Sequence, residues 1–362
     1  MNNYHPPHQR FESIQIARFF AALSVIALHL SQYAVRDFGL HAELFHIGGA
    51  GVDLFFIISG FIIARISDQP GLRGLFFFSK RLTRIAPLYY LCTLLVFMLA
   101  VNTPELLHIS DTSAGDLLKS LLFIPYEKSD GKLHPIFFLG WTLNYEMFFY
   151  LLTTIAVMAF RRRGILAVAV ALLILTTIGY MNAGSKNLLI RFYCNGILLN
   201  FAYGLIIYSL YQTVGARLHR YSWLWIPGVL LISIQIYLPV PLPREFAFGL
   251  PAALIVSGLI GLRPQKGTLF RSLVQLGDAS YSTYLLHPFI LQANATLFIA
   301  LGLTSSTSIA VYVLISMALI IPASLLSFHY VEQLSRHKLN RWLGLSSKNQ
   351  AQRSPIESSV VS

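Results

Sequence analysis

Arg18 and His29 are the only strongly polar ionisable side chains in the apolar run 14–30. A guanidinium stays charged at physiological pH and grips anions, whereas an imidazole titrates near neutrality and moves protons. Eleven residues at about 100° each return a helix to within roughly 20° of the same face, so the two side chains would share one stripe about 16 Å apart. Ionisable groups are expensive inside a bilayer, and a pair in register invites a functional reading. For Arg18 the plainer alternative is an anchor that snorkels to lipid phosphate. His29 lies in mid-run, where a histidine needs a partner or a wet cavity.

Four further stretches carry comparable chemistry. Trp141-Thr142-Leu143-Asn144-Tyr145-Glu146 holds the deepest acid of the chain. An unpaired carboxylate at that depth is costly, so Glu146 is protonated, paired with a cation, or a bridge between helices. Asp53 follows the small residues Gly48-Gly49-Ala50-Gly51 and precedes Ser59-Gly60; the glycines suit a packing seam. Asp53 itself falls at a depth comparable with His29. It could orient the imidazole or be a wet acid at a helix end, and the sequence does not choose. Arg81 and Arg84, in Lys80-Arg81-Leu82-Thr83-Arg84-Ile85-Ala86-Pro87, fall on one helical face on the same side of the membrane as Arg18. Three guanidinium groups converging there would suit a polyphosphate, although topology alone accounts for a basic cluster. His287 precedes Pro288, which frees the carbonyl of Tyr284; the imidazole either lines a cavity or bonds to that carbonyl.

The elements that must hold these residues follow from composition. Of the 362 residues, 55% are hydrophobic and 12% charged, against about 25% charged in soluble domains. Long apolar runs recur from end to end, so the net charge of +12 reads as membrane orientation rather than nucleic-acid binding. A β-barrel would need alternating segments of about ten residues. The fold class expected is all-α, a polytopic membrane bundle of about ten helices, each near the ~20 residues a bilayer requires. The spans fall near 14–34, 49–68, 85–102, 136–160, 164–181, 191–212, 222–239, 245–262, 280–300 and 307–330. The stretch 117–124 is too short to cross and would lie at the interface.

With the N-terminus inside, nineteen Lys and Arg face inward and seven outward, with Arg18 completing the total of 27. That bias puts both termini in the cytoplasm. Three regions are expected: a cytoplasmic segment 1–13, a transmembrane domain 14–330, and a cytoplasmic tail 331–362 that is polar and disordered after Trp342. A cleavable signal is not expected, because the polar start leads into a full-length span. Cys92 and Cys194 both lie in apolar runs, so neither a disulfide nor a metal site is implied. With no soluble catalytic domain expected, any chemistry belongs to the bundle.

Taken together, these stretches resemble acyltransferase family 3, the bacterial integral membrane O-acyltransferases that modify surface and secreted glycans. Arg18-x10-His29 looks like its first-helix signature. Gly51-Val52-Asp53-Leu54-Phe55-Phe56-Ile57-Ile58-Ser59-Gly60-Phe61 is similar to its second motif, and 80–87 to its third. Trp141-Thr142-Leu143-x-x-Glu146 and Ser280-Tyr281-Ser282-x-Tyr284-Leu285-x-His287 resemble the later ones. Each pattern is weak alone, but five in family order across 18–332 are specific. The family often ends its last span in Glu-Lys-Pro, whereas Glu332 here precedes Gln333-Leu334, which leaves Glu332 without an assigned role. Some members append an esterase-like domain; a single-domain member is expected here.

The resemblance implies an acyl-CoA donor in the cytoplasm, acetyl-CoA by default, and a hydroxyl acceptor on an extracytoplasmic or lipid-linked saccharide or glycolipid. It also implies a multi-pass protein of the bacterial inner membrane in contact with lipid, with no metal and no nucleic-acid partner. On this reading Arg18, Arg81, Arg84 and His287 hold the donor, and His29, Glu146 and Asp53 form the catalytic group. The pantetheine arm is about as long as the Arg18 to His29 separation. His29 would act as general base on the sugar hydroxyl or accept the acyl group itself, which the sequence does not separate. Glu146 would assist proton transfer or anchor the site. The alternative is a proton-coupled transporter or lipid exporter without acyl transfer, with His29 and Glu146 as its relay. A carrier of that kind does not need Arg81 and Arg84, whereas a CoA enzyme does. On a third reading the polar residues only hold the bundle together.

Overall fold

The computed structural model describes residues 11–39, 46–69, 71–103, 112–129, 131–262 and 266–345. Arg10, Arg263 and residues 346–362, assigned from sequence to the inner side, lie outside the described residues, as does 104–111 of a long loop. Among the described residues the regular elements are all helical. In order they are α1 (Glu12–Phe38), α2 (Ala50–Ser67), α3 (Gly74–Asn102), α4 (Ala114–Leu121), α5 (Gly140–Phe160), α6 (Gly164–Met181) and α7 (Leu188–Tyr193). Then come α8 (Leu199–Val214), α9 (Trp225–Ile234), α10 (Leu250–Ile260), α11 (Thr268–Asp278), α12 (Ser280–Ala300), α13 (Ser306–Ser327) and α14 (Leu334–Trp342).

Among the described residues seven segments are long and apolar enough to cross a bilayer: α1, α2, α3, α5, α6, α7 with α8, and α13 with α14. The expected all-α membrane bundle is therefore present. The other three expected spans are helical but shorter or more polar. α9 has only 10 residues and follows a 3-10 stretch, Gly215–Leu224. The eighth opens with a π-helical turn, Glu245–Gly249, before the 11 residues of α10. α12 has 21 residues but carries His287, Asn294 and several hydroxyls, because it lines the site described below. The last span continues through a second π turn, Phe328–Gln333, into α14. Residues 331–342, assigned from sequence to the tail, are thus part of the helical body.

In lipid the hydrophobic effect does not press one helix on another, so close packing of small residues must. α2 shows this on two faces. A Cβ at Gly48 or Gly51 would run into the carbonyl oxygens of Ser24 and Ala21 on α1. On the opposite face Gly60 and Gly204 touch, where a Cβ on either would strike the carbonyl of Phe201 or Ile57. Phe201 then stacks on Phe56 at 4.6 Å and on Phe149 at 4.4 Å, joining α2, α8 and α5 in one core. The outward faces stay apolar, as at Leu151, Ile155 and Met158 of α5, where lipid is the solvent.

The segment leading into α5 is tied down by polar contacts. α4 is an eight-residue amphipathic helix started by a capping box, with the Asp116 N–H donating to Ser113 Oγ at 3.0 Å and the Ser113 N–H to Asp116 Oδ2 at 3.2 Å. Tyr89 donates to the Ser120 carbonyl at 3.0 Å, and Ser120 Oγ accepts from the Ile136 N–H at 3.1 Å. Arg191 grips Glu127 at 2.6 Å. These bonds fix the chain immediately before α5, where the site begins.

Candidate functional site

Helices α5 and α12 each contribute about one side chain per turn to a single column, and α1 contributes two, three turns apart. α5 presents Tyr150, Glu146 and Thr142, and Phe138 lies one further turn back, just before the helix starts. α12 presents Tyr281, Tyr284 and His287, while α1 presents Arg18 at one end and His29 toward the other. α3 adds Arg81 and Arg84, and α2 adds Phe55 and Ser59.

At one end lies a cavity lined by Arg18, Arg81, Arg84, Ser59, Glu146 and Tyr150 together with apolar side chains of α2. The structure therefore brings together the three arginines and the acid that were read from separate stretches. The Arg81 guanidinium lies 5.7 Å from the Phe77 ring and 6.0 Å from that of Tyr150, in reach of cation–π attraction. Its Nε is buried and has no hydrogen-bond partner. Arg18 donates to Gln15 Oε1 at 3.3 Å. Glu146 accepts from Ser59 Oγ at 3.2 Å and from the Tyr150 hydroxyl. Glu332 is buried, accepts from Ser282 Oγ at 3.1 Å and faces Arg18 and Arg84. Neither acid forms an ion pair with the arginines, so the cavity keeps guanidinium donors for an anion. That donor set fits a polyphosphate.

One turn along the column, Thr142 Oγ1 donates to the Leu139 carbonyl at 3.0 Å and lies 3.0 Å from the Tyr284 hydroxyl. One turn further stand the two histidines. His29 Nδ1 lies 2.7 Å from His287 Nε2, with the rings 5.0 Å apart and 18° from parallel. The Phe138 ring meets His29 edge-on at 5.4 Å. His287 is fully buried, and its Nδ1 lies 3.3 Å from the Thr283 carbonyl, with the Tyr284 carbonyl that Pro288 frees also in reach. These partners set the tautomers of a neutral pair. A carbonyl only accepts, so His287 carries its proton on Nδ1 and presents a bare Nε2. His29 then donates from Nδ1, which leaves its own Nε2 as an unprotonated lone pair.

Sequence depth alone had grouped His287 with the arginines, two turns in from the inner side. α11, expected as part of a cytoplasmic loop, is a helix whose Gly277 presses on the Gln15 carbonyl of α1. In the structure His287 lies beside His29 and does not line the arginine cavity.

Asp53, expected as a possible orienting group for the imidazole, is elsewhere. Its carboxylate is completely buried and accepts from Arg244 Nη2 at 2.8 Å, Arg244 Nε at 3.3 Å and Asn200 Nδ2 at 2.7 Å. Arg244 also donates to the Gly49 carbonyl at 2.6 Å. The group clamps the start of α2 to α8 and to the turn before α10, and the orienting contact to His29 comes from His287. Arg244 had counted only as an outer charge, and nothing local in the sequence pairs it with Asp53. Tyr150, Thr142 and Tyr284 were also missed, though their spacing of three or four residues from Glu146 and His287 was a usable signal. Among the described residues no three His, Cys, Asp or Glu converge as a metal-ion site.

Residues 11–328 match the family model described as "Acyltransferase domain". The chain is 33% identical to "Exopolysaccharide production protein ExoZ" of Rhizobium meliloti (strain 1021) over 282 residues, 75% of this chain and 84% of that protein. It is 29% identical to "Putative acetyltransferase ORF330" of Acidianus two-tailed virus over 302 residues, 79% of this chain and 84% of that protein. A third relative, "Acyltransferase MdmB" of Streptomyces mycarofaciens, is 30% identical over 156 residues, 39% of this chain and 38% of that one. No solved structure matches the chain. An acyltransferase model covering nearly the whole helical bundle, together with a curated relative at this identity and coverage, places the chain in acyltransferase family 3 as a multi-pass membrane O-acyltransferase.

Proposed function

We propose that the protein transfers an acetyl group from cytoplasmic acetyl-CoA to a hydroxyl of a saccharide on the outer side of a bacterial inner membrane, with His29 as general base. The observation that carries this reading is the His29–His287 contact, one turn along a column from a cavity lined by three arginines. Arg18, Arg81 and Arg84 would hold the donor phosphates, and the unpartnered Nε of Arg81 is a donor suited to one of them. The thioester arm then runs along the column toward the imidazole pair.

In the transfer step, His29 Nε2 takes the proton of the acceptor hydroxyl as its oxygen attacks the thioester carbonyl. The C–S bond breaks, and the thiolate leaves with the proton returned by His29. His287 accepts the Nδ1–H of His29 throughout, fixing the tautomer and steadying the imidazolium. Glu146 sits two turns from Phe138, at the level of the arginines. Its part in this reading is to balance their charge and hold Ser59 and Tyr150 in place. A saccharide acceptor is supported by the name of the relative involved in exopolysaccharide production. The positive-inside bias supports an inner arginine mouth and cytoplasmic termini.

Membranes supplied with radiolabelled acetyl-CoA are expected to move label onto saccharide only when the protein is present. Arg84→Ala, which removes one charge-assisted contact, is expected to raise the half-saturating donor concentration about tenfold. An unchanged value would move the donor site elsewhere. Reporter fusions at Lys132 and at Arg163 are expected to report opposite sides of the membrane, and agreement between them would break the orientation.

A further inference from the structure

A donor cavity open to one side and an acceptor reached from the other pose a physical problem. A continuous wet column through the bundle would leak protons and expose the thioester to water, so something between the two must close it. We propose that Tyr284, latched through its hydroxyl to Thr142, is the movable partition between the arginine-lined cavity and the histidine pair, and so decides that the acyl group goes to the acceptor rather than to water. This rests on the reading of that cavity as the donor site.

The placement follows from the stripes on α5 and α12. On α5 the column descends through Tyr150, Glu146 and Thr142 to Phe138, and on α12 through Tyr281 and Tyr284 to His287. Thr142 and Tyr284 line the cavity, whereas His29 and His287 do not. Tyr284 also borders the histidines, with its ring 6.1 Å from that of His287, and it packs on Phe55 at 6.0 Å on the cavity side. It is buried, and it stands one turn, about 5 Å, short of the imidazoles.

The hydroxyl arrangement makes the closed position definite and reversible. Thr142 spends its proton on the Leu139 carbonyl, so its lone pair accepts from Tyr284 at 3.0 Å. The Leu139 carbonyl is a second acceptor for Tyr284 at 3.4 Å. Leu139 adjoins Phe138, whose ring edge contacts His29, so a shift of the latch is felt directly at the imidazole. Neutral hydroxyl bonds of this kind are weak enough to exchange with a ligand that fills the cavity. Without the latch, water in the cavity gains access to the histidine level. There it adds to the thioester carbonyl in place of the saccharide hydroxyl and gives its proton to His29. The C–S bond breaks, and the products are the free carboxylic acid and the thiol.

The test uses the full chain in proteoliposomes. Tyr284→Phe and Thr142→Val each remove the latch while keeping the side-chain volume. Each is expected to raise acceptor-independent hydrolysis of acetyl-CoA about tenfold relative to transfer to the saccharide, a ratio that a change in donor affinity alone would not move. The double variant should add nothing further, since the two residues share one interaction. Tyr284→Ala removes the partition itself, and vesicles carrying it are expected to lose an imposed pH gradient, read by an enclosed dye, several times faster than wild type. Wild-type hydrolysis and wild-type gradient decay in all of these variants, in protein that still transfers acetyl groups, would overturn the partition alone. If wild-type protein neither transfers nor hydrolyses acetyl-CoA, the donor reading fails, while a leak through Tyr284→Ala would still support the partition.

Discussion

His29→Gln is expected to lower acyl transfer at least a thousandfold while the protein stays as abundant in the membrane as the wild type. Glutamine retains an amide N–H for His287 Nε2, so the 2.7 Å contact and the packing against Phe138 have a substitute. What it lacks is the basic lone pair at Nε2. General-base assistance is worth roughly 10²–10⁴ in rate, and a site that also relies on this group to orient the acceptor loses more. His287→Gln should be milder, about ten- to a hundredfold, because it acts through His29 by fixing its tautomer. Transfer measured with labelled donor and quantified against immunoblot abundance gives both numbers. Activity retained in His29→Gln would end the catalytic assignment. A fall in abundance matching the fall in activity would return the histidines to a purely structural role.

Arg244→Ala is expected to cost stability on the scale of about 3 kcal/mol, the lower end of the range for removing one partner of a buried pair. The Asp53 side chain is 0% exposed, so its carboxylate would lose its only charged partner. The Arg244 side chain is 39% exposed, which is why the lower end applies. Asp53→Asn/Arg244→Gln should recover much of the loss, because Asn200 can still bond a neutral amide and no charge is left buried. Thermal unfolding in detergent with an intrinsic Trp signal is the measurement. If instead Arg244→Ala unfolds like the wild type but transfers acyl groups a hundredfold more slowly, Asp53 serves the chemistry and not the packing of α2.

The two results separate roles that the linear chain left joined. His29 and Asp53 occur at comparable depths, and both types suit acid–base work. Placed in the fold, one faces a second imidazole and the other an arginine and an asparagine. The transporter alternative drew on His29 and Glu146 as a continuous relay. Those residues lie at different levels of the column, with the Thr142–Tyr284 contact between them, and the chain matches an acyltransferase family.

Several features were determined by the sequence by itself because their causes are local. An apolar run of about twenty residues must close its own backbone hydrogen bonds in lipid, so the helical class follows without knowledge of any partner. Arg18 and His29 share a face because helical pitch is a property of the backbone, and the same applies to Arg81 with Arg84. The glycines of 48–60 implied close packing for similar reasons, since only small residues let helices touch. The three arginines were read as candidates to converge on one mouth and Glu146 as an acid that could pair with a cation, and all four line one cavity.

Only the tertiary structure decided which helices meet. His29 and His287 are 258 residues apart in sequence, Asp53 and Arg244 191 apart, and Thr142 and Tyr284 142 apart. No periodicity encodes such pairings. Each depends on the lateral order of the helices and on their relative heights, which packing fixes collectively. His287 makes the point most directly, because only the packing of α12 on α1 sets it against His29 and outside the arginine cavity.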